Sequence, residues 1–253
     1  MSLAPSRTAG GAPAWRERLV FAYLQEPPFC FRRGDAAVSG CDVELAQTVA
    51  VIAGAGPFLP VEAEFAQLLP GLAEGRWAMT TGLFVTEERR ARVAFSRPIW
   101  ALHDGLLVRA GDTRGFAGYR ALARDPSAVL GVIVDQVQHA TALRLGVAAK
   151  RVRLFRTQDE AATAVVNGEI DAYASVASAH RGYLANRPDD ELAVIDVPAD
   201  EQPPAFGAFA FAKESGGLHA AIDAALTSYL GSPAHRALTA RYGFTASEVD
   251  RIL

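Results

Sequence analysis

The chain has 253 residues, half of them hydrophobic, with 25 Lys and Arg against 28 Asp and Glu and a formal net charge of -3. That length buries one large core or two smaller ones and favours two lobes. The interspersed charges argue against the clustered basic surface that nucleic acid requires, and no uncharged apolar run reaches the roughly 18 residues needed to span a bilayer. The two cysteines, Cys30 and Cys41, flank a turn-like segment. A hairpin there could bring them into register as a disulfide, with two free buried thiols as the alternative.

Residues 1–15 are rich in Ala, Gly, Ser and Pro and lack an apolar signal core, so 1–17 are expected to be a disordered leader or remnant on a mature domain, any signal peptide belonging to the precursor. Residues 18–23 form an apolar strand, followed by the turn-prone Gln25-Glu26-Pro27-Pro28 and a second strand at 29–31. Asp42 is placed to cap a helix with apolar residues at helical spacing through Ile52, ended by Gly54 and Gly56. The pattern then gives a strand at 60–65, a helix at 68–74 and a strand at 79–84. Thr86 caps the next helix, with Glu87 and Glu88 in its first turn, where the helix dipole favours carboxylates.

The alternation restarts at Val129. A strand there leads through Asp135-Gln136 into a helix at 140–145, and strand 152–155, helix 159–167 and strand 171–175 follow. Residues 198–204 are a proline-rich connector; 207–212 are a strand and 218–230 a helix. Alternating strands and helices indicate open α/β sheets, whose ligand sites lie at the carboxyl ends of strands. There is no metal-ligand spacing among the histidines, no nucleophile elbow and no phosphate-binding glycine loop, so no metal and no cofactor is expected.

Four segments taken together, Gly40-Cys41-Asp42-Val43-Glu44-Leu45-Ala46, Phe65-Ala66-Gln67-Leu68-Leu69-Pro70-Gly71-Leu72, Gly82 with Thr86-Glu87-Glu88-Arg89, and Phe95-Ser96-Arg97-Pro98, resemble the extracellular solute-binding protein family 3 in order and spacing. The resemblance implies a type II periplasmic-binding-protein fold: two lobes on open sheets joined by two hinge strands. Lobe one would comprise 18–102 and 207–253, and lobe two 103–201, with hinges near 99–103 and 202–206. It further implies a periplasmic, non-enzymatic monomer that closes around an amino acid or related small carboxylate and delivers it to an ABC transporter permease.

By the same resemblance Arg89 grips the ligand carboxylate, a role suited to a planar guanidinium that stays charged when desolvated. Gly82, Phe84 and Thr86 supply or order further donors, Tyr23 and Phe65 sandwich the ligand body, and Glu26 stands near a ligand cation. In lobe two the matching loop is Val134-Asp135-Gln136-Val137-Gln138, where Gln136 and the Val137 amide can donate and the helix start attracts an anion while Asp135 opposes one. The acid that usually meets an α-ammonium falls at Val176, counting from Gly168-Glu169-Ile170-Asp171-Ala172. A valine cannot neutralise a buried cation, so Asp135 or Glu26 takes over, or the ligand has no ordinary α-ammonium. The alternatives are a dehydratase-type enzyme, with Glu26, Asp135 and His180 as its acid or base candidates, and a ligand-sensing module of a receptor.

Overall fold

A computed structural model describes residues 12–34, 36–112, 114–187 and 191–253. Strand Leu19–Tyr23 is apolar on both faces because it runs down the middle of a parallel sheet, between Phe58–Glu62 and Met79–Thr80. Both faces of such a sheet are covered. Helices Cys41–Ile52 and Gly216–Tyr229 pack together on one side through Leu45, Val49, Ile222 and Leu226, and Leu68, Leu72 and Trp77 fill the other.

The second lobe is built on one five-stranded sheet in the order Leu192–Asp196, Asp104–Arg109, Ala172–Val176, Leu130–Ile133, Val152–Phe155. Its three central strands are buried except at Arg109, with Leu106, Leu130 and Ala174 facing one core and Leu107, Ile133 and Tyr173 the other. Between the two main sheets, Trp100–Leu102 and Ala205–Ala208 lie antiparallel, Leu102 opposite Ala205 and Trp100 opposite Gly207. Strand Leu83–Phe84 completes this small sheet.

Several expectations are corrected. The strand over 79–84 is broken at Thr81-Gly82, so Met79–Thr80 and Leu83–Phe84 belong to different sheets. Residues 29–31 form isolated bridges, Glu26 to Cys30 and Phe31 to Ser39, in place of a strand. Asp42 caps nothing: the helix starts at Cys41 from Gly40, whose φ of 130° only glycine adopts readily and whose added Cβ would meet the Phe29 carbonyl oxygen at 2.2 Å. Cys30 and Cys41 are free and buried. The leader expected over 1–17 falls partly outside the described residues; Ala14–Glu17 is a helical turn whose Trp15 packs on the first core.

Candidate functional site

Helix Glu87–Arg90 is a single turn, and its start is fixed by Thr86, whose hydroxyl accepts from the Arg89 amide at 3.2 Å. That cap aims Arg89 inward, where it is 7% exposed. Its guanidinium donates to the Phe84 carbonyl and, across the cleft, to the Asp135 carbonyl, each at 2.9 Å, and lies 5.3 Å from the centre of the Phe65 ring. Burial lowers its pKa to about 10, which leaves it charged at neutral pH. Asp135 reaches this position with a φ of 64°, a left-handed conformation that Asp tolerates better than most residues.

A cavity of about 50 Å³ opens beside Arg89, between the lobes. Lobe one contributes Leu24, Glu26, Phe29, Phe65, Phe84 and Trp100 among its lining, and lobe two Gln136, Val137, Gln138, Ser175 and Val176. A recess of about 340 Å³ shares Leu24, Glu26, Phe65 and Gln136 with it and runs on to Tyr173 and Gln158. Glu26, half-buried as a residue, therefore lines both spaces. Desolvation, reinforced by the charge of Asp42, raises its pKa to about 7.

Asp42 is the strut beneath this lobe-one wall. It accepts from Thr81 Oγ1 at 2.7 Å, the Gly82 amide at 2.8 Å and Trp100 Nε1 at 3.1 Å. Burial pushes its pKa up while these three donors pull it down. The bonds hold the Thr81-Gly82 bend and fix the indole that stands edge-on to Phe84, ring centres 5.4 Å apart.

The structure brings Arg89, Glu26, Phe65, Gly82, Phe84, Gln136, Val137 and Val176 around the cavity. The Gly82 amide is taken by Asp42. Thr86 and Asp135 line an outer groove on the far side of Arg89, so Asp135 meets the site through its carbonyl and its carboxylate does not line the cavity. Tyr23 lines none of these spaces: its ring is in the first core and its hydroxyl donates to Glu62 at 3.3 Å. Leu24, just beyond the end of the strand, lines the cavity instead. His180 lies in the core, its Nε2 donating to the Gly105 carbonyl at 3.2 Å, and burial lowers its pKa to about 3.

Sequence reasoning reached Gln138 as the end of the lobe-two loop but missed Phe29, Trp100 and Ser175. Ser175 had a signal, being adjacent to Val176 at the end of a strand; the others are brought in by tertiary packing. Among the described residues, no group of three or more His, Cys, Asp or Glu could hold a metal, and no helix is long and apolar enough to cross a membrane.

Comparison with known proteins agrees with this architecture. A probable amino-acid ABC transporter periplasmic-binding protein of Sinorhizobium fredii, y4tE, is 28% identical over 246 residues, covering 94% of this chain and 80% of that protein. Membrane-bound lytic murein transglycosylase F of Maricaulis maris is 29% identical over 194 residues, which span 74% of this chain but 41% of that enzyme. Among solved structures, EhuB in complex with hydroxyectoine superposes with a TM-score of 0.84 at 26% identity, covering 94% of each chain. The arginine-, lysine-, histidine-binding protein ArtJ of Geobacillus stearothermophilus superposes with a TM-score of 0.83 at 22% identity, covering 93% of this chain and 99% of its own. With residues 19–245 matching the family as a whole, the chain belongs to the bacterial extracellular solute-binding proteins, family 3.

Proposed function

We propose that the protein is the periplasmic binding component of an ABC importer and holds one small zwitterion between its lobes, the carboxylate on Arg89 and the cation on Glu26. The observation that carries this reading is the pairing of the two groups on one cavity: the buried Arg89 guanidinium and the half-buried Glu26, with Phe29, Phe65, Phe84 and Trp100 in the same lining. Carbonyls take two of the Arg89 donors, and the rest are available to a carboxylate. Glu26 supplies the acid that Val176 does not. Aromatic faces suit a compact cation, to which they are attracted through the ring quadrupole. Hydroxyectoine, which EhuB holds, and the amino acids named for y4tE and ArtJ are ligands of this kind.

In this reading 18–102 and 207–253 move as lobe one and 103–201 as lobe two, about hinges at 99–103 and 202–206. The sheet assignments support it, because His103 separates two strands that belong to different sheets and the return path crosses beside it. The partners are the ligand and a membrane permease, with no nucleic acid, and the protein acts as a monomer. In this reading it binds without turnover: of the acid or base candidates, His180 is sealed in the core and the Asp135 carboxylate does not line the cavity, which leaves Glu26, whose part is to hold the cation.

The test is calorimetry of purified protein against a panel of small zwitterions, with products followed by mass spectrometry. Binding that is lost in both Arg89→Ala and Glu26→Gln, with the ligand recovered unchanged, supports the reading. A ligand whose affinity is the same in Arg89→Ala as in the parent overturns it.

A further inference from the structure

On the lobe-two side of the cavity, the orientation of one amide is fixed from behind. Asp104 is 4% exposed and accepts from the Tyr119 hydroxyl at 2.7 Å and from Gln138 Nε2 at 2.8 Å. A carboxylate offers only acceptors, so Gln138 must turn its NH₂ towards Asp104. Its Oε1 is then left for the cavity that its 2%-exposed side chain lines. Gln136, also on the cavity wall, has a buried Oε1 with no donor. With Glu26 in the lining from lobe one, the cavity carries acceptors contributed from both lobes.

We propose that Asp104 and Tyr119 are a positioning pair that turns Gln138 Oε1 towards the ligand, so that Gln138, Gln136 and Glu26 together select a cation bearing several N–H donors over a fully N-alkylated one. The inference rests on the zwitterion reading above. The aromatic walls attract both kinds of cation and so cannot separate them. The amide oxygens can: a quaternary ammonium leaves them buried and unpaired, whereas a guanidinium, amidinium or primary ammonium satisfies them. A site built to hydrogen-bond its ligand rejects an analogue lacking the donors far more strongly than an apolar pocket rejects a change of size.

Guanidinoacetate and glycine betaine test this, since both are carboxylate zwitterions of equal heavy-atom count and only the first has N–H groups on its cation. By calorimetry the parent protein is expected to bind guanidinoacetate at least about tenfold more tightly than betaine, the loss that follows from leaving a buried acceptor unpaired. Asp104→Asn can donate to Gln138 Oε1 and let the amide reverse, and Gln138→Met removes the amide, so each should bring the ratio towards one. A purely structural role would weaken both probes alike and leave the ratio unchanged. Circular dichroism establishes folding, and if Asp104→Asn does not fold, Gln138→Met decides the question. Equal affinities in the parent, or an unaltered ratio in the folded variants, overturns the inference while leaving the zwitterion reading in place. If neither probe binds, the inference is overturned, since a site that selects for N–H donors should take guanidinoacetate; if Arg89→Ala leaves binding untouched, the zwitterion reading itself fails and this inference falls with it.

Discussion

Arg89 and Lys are not interchangeable at this position. The guanidinium spans two carbonyls, from Phe84 and Asp135, on opposite sides of the cleft, and an ammonium on a flexible stem cannot hold both and still present a planar fork to a carboxylate. Arg89→Lys should therefore lose roughly 10- to 100-fold in affinity, the weight of one or two charge-assisted bonds, with calorimetry as the check and an unchanged urea midpoint showing that the fold survives. Glu26 adds a pH dependence. Its free-state pKa is raised to about 7 by burial and by Asp42, while a bound cation favours the ionised form. Affinity should be constant well above pH 7 and fall by about tenfold per unit below it, one proton being taken up for each ligand released. The groups that bear on it are Asp42 and Tyr173, and Glu26→Gln should flatten the profile. His180 acts on stability. Its pKa is lowered to about 3 in the fold, against about 6.5 in the unfolded chain, so the unfolded state binds the proton first. The stability it contributes is complete above pH 6.5 and is lost as pH falls towards 3. Urea midpoints should drop less steeply over that window in His180→Leu than in the parent.

At the scale of elements, the hinge-side sheet is closely packed at one point. A Cβ added to Gly207 would lie 1.9 Å from two ring atoms of Trp100, an indole pinned through Nε1 to Asp42, so it cannot swing aside cheaply. Gly207→Ala should cost about 1–3 kcal/mol, as overpacking of a filled core does, and should weaken ligand binding as well, because Trp100 is cavity wall; chemical denaturation and calorimetry read the two effects. Such contacts also explain what the sequence could and could not disclose. Thr86, Glu87 and Glu88 announce a helix start by local rules, and the geometry of Arg89 follows from that start. The apolar run at Val129 and the helical spacing from Asp42 to Ile52 were readable for the same reason. Asp42 looked like a cap because capping is a local property, yet its three partners lie 39 to 58 residues away. Tyr23 ends its strand in the core while Leu24, just beyond it, lines the cavity, and no local feature of 18–23 shows which of the two the site takes. The pair Asp104 and Gln138 is separated by 34 residues and leaves no mark in sequence. Strands 104–109 and 192–196 escaped because both run close to a connector, and their pairing with each other is non-local.

For the molecule as a whole, the question is what holds the lobes closed. Among the described residues, the hydrogen-bonded ties across the cleft are Arg89 to the Asp135 carbonyl, Arg156 to Glu64, and Arg33 to Asn186. Two of these are on the surface: Arg33 meets only the neutral amide of Asn186, and the ion pair of Arg156 with Glu64 contributes between nothing and about 1 kcal/mol there. Glu64→Ala should therefore change ligand affinity by no more than about fivefold, the ratio that corresponds to 1 kcal/mol, and less at high salt, where exposed charges are screened. A ligand reaching both Arg89 and Glu26 adds charge-assisted bonds in a desolvated site, and it stabilises the closed form by its difference in affinity for the two states. Spectroscopic labels placed one on each lobe should show an inter-lobe distance that shortens on ligand addition in the parent and in Glu64→Ala alike. In Arg89→Ala the same ligand should leave the distance unaltered. If Glu64→Ala instead stayed open at saturating ligand, closure would be driven by the surface pair, and the cavity would lose its claim to be the switch.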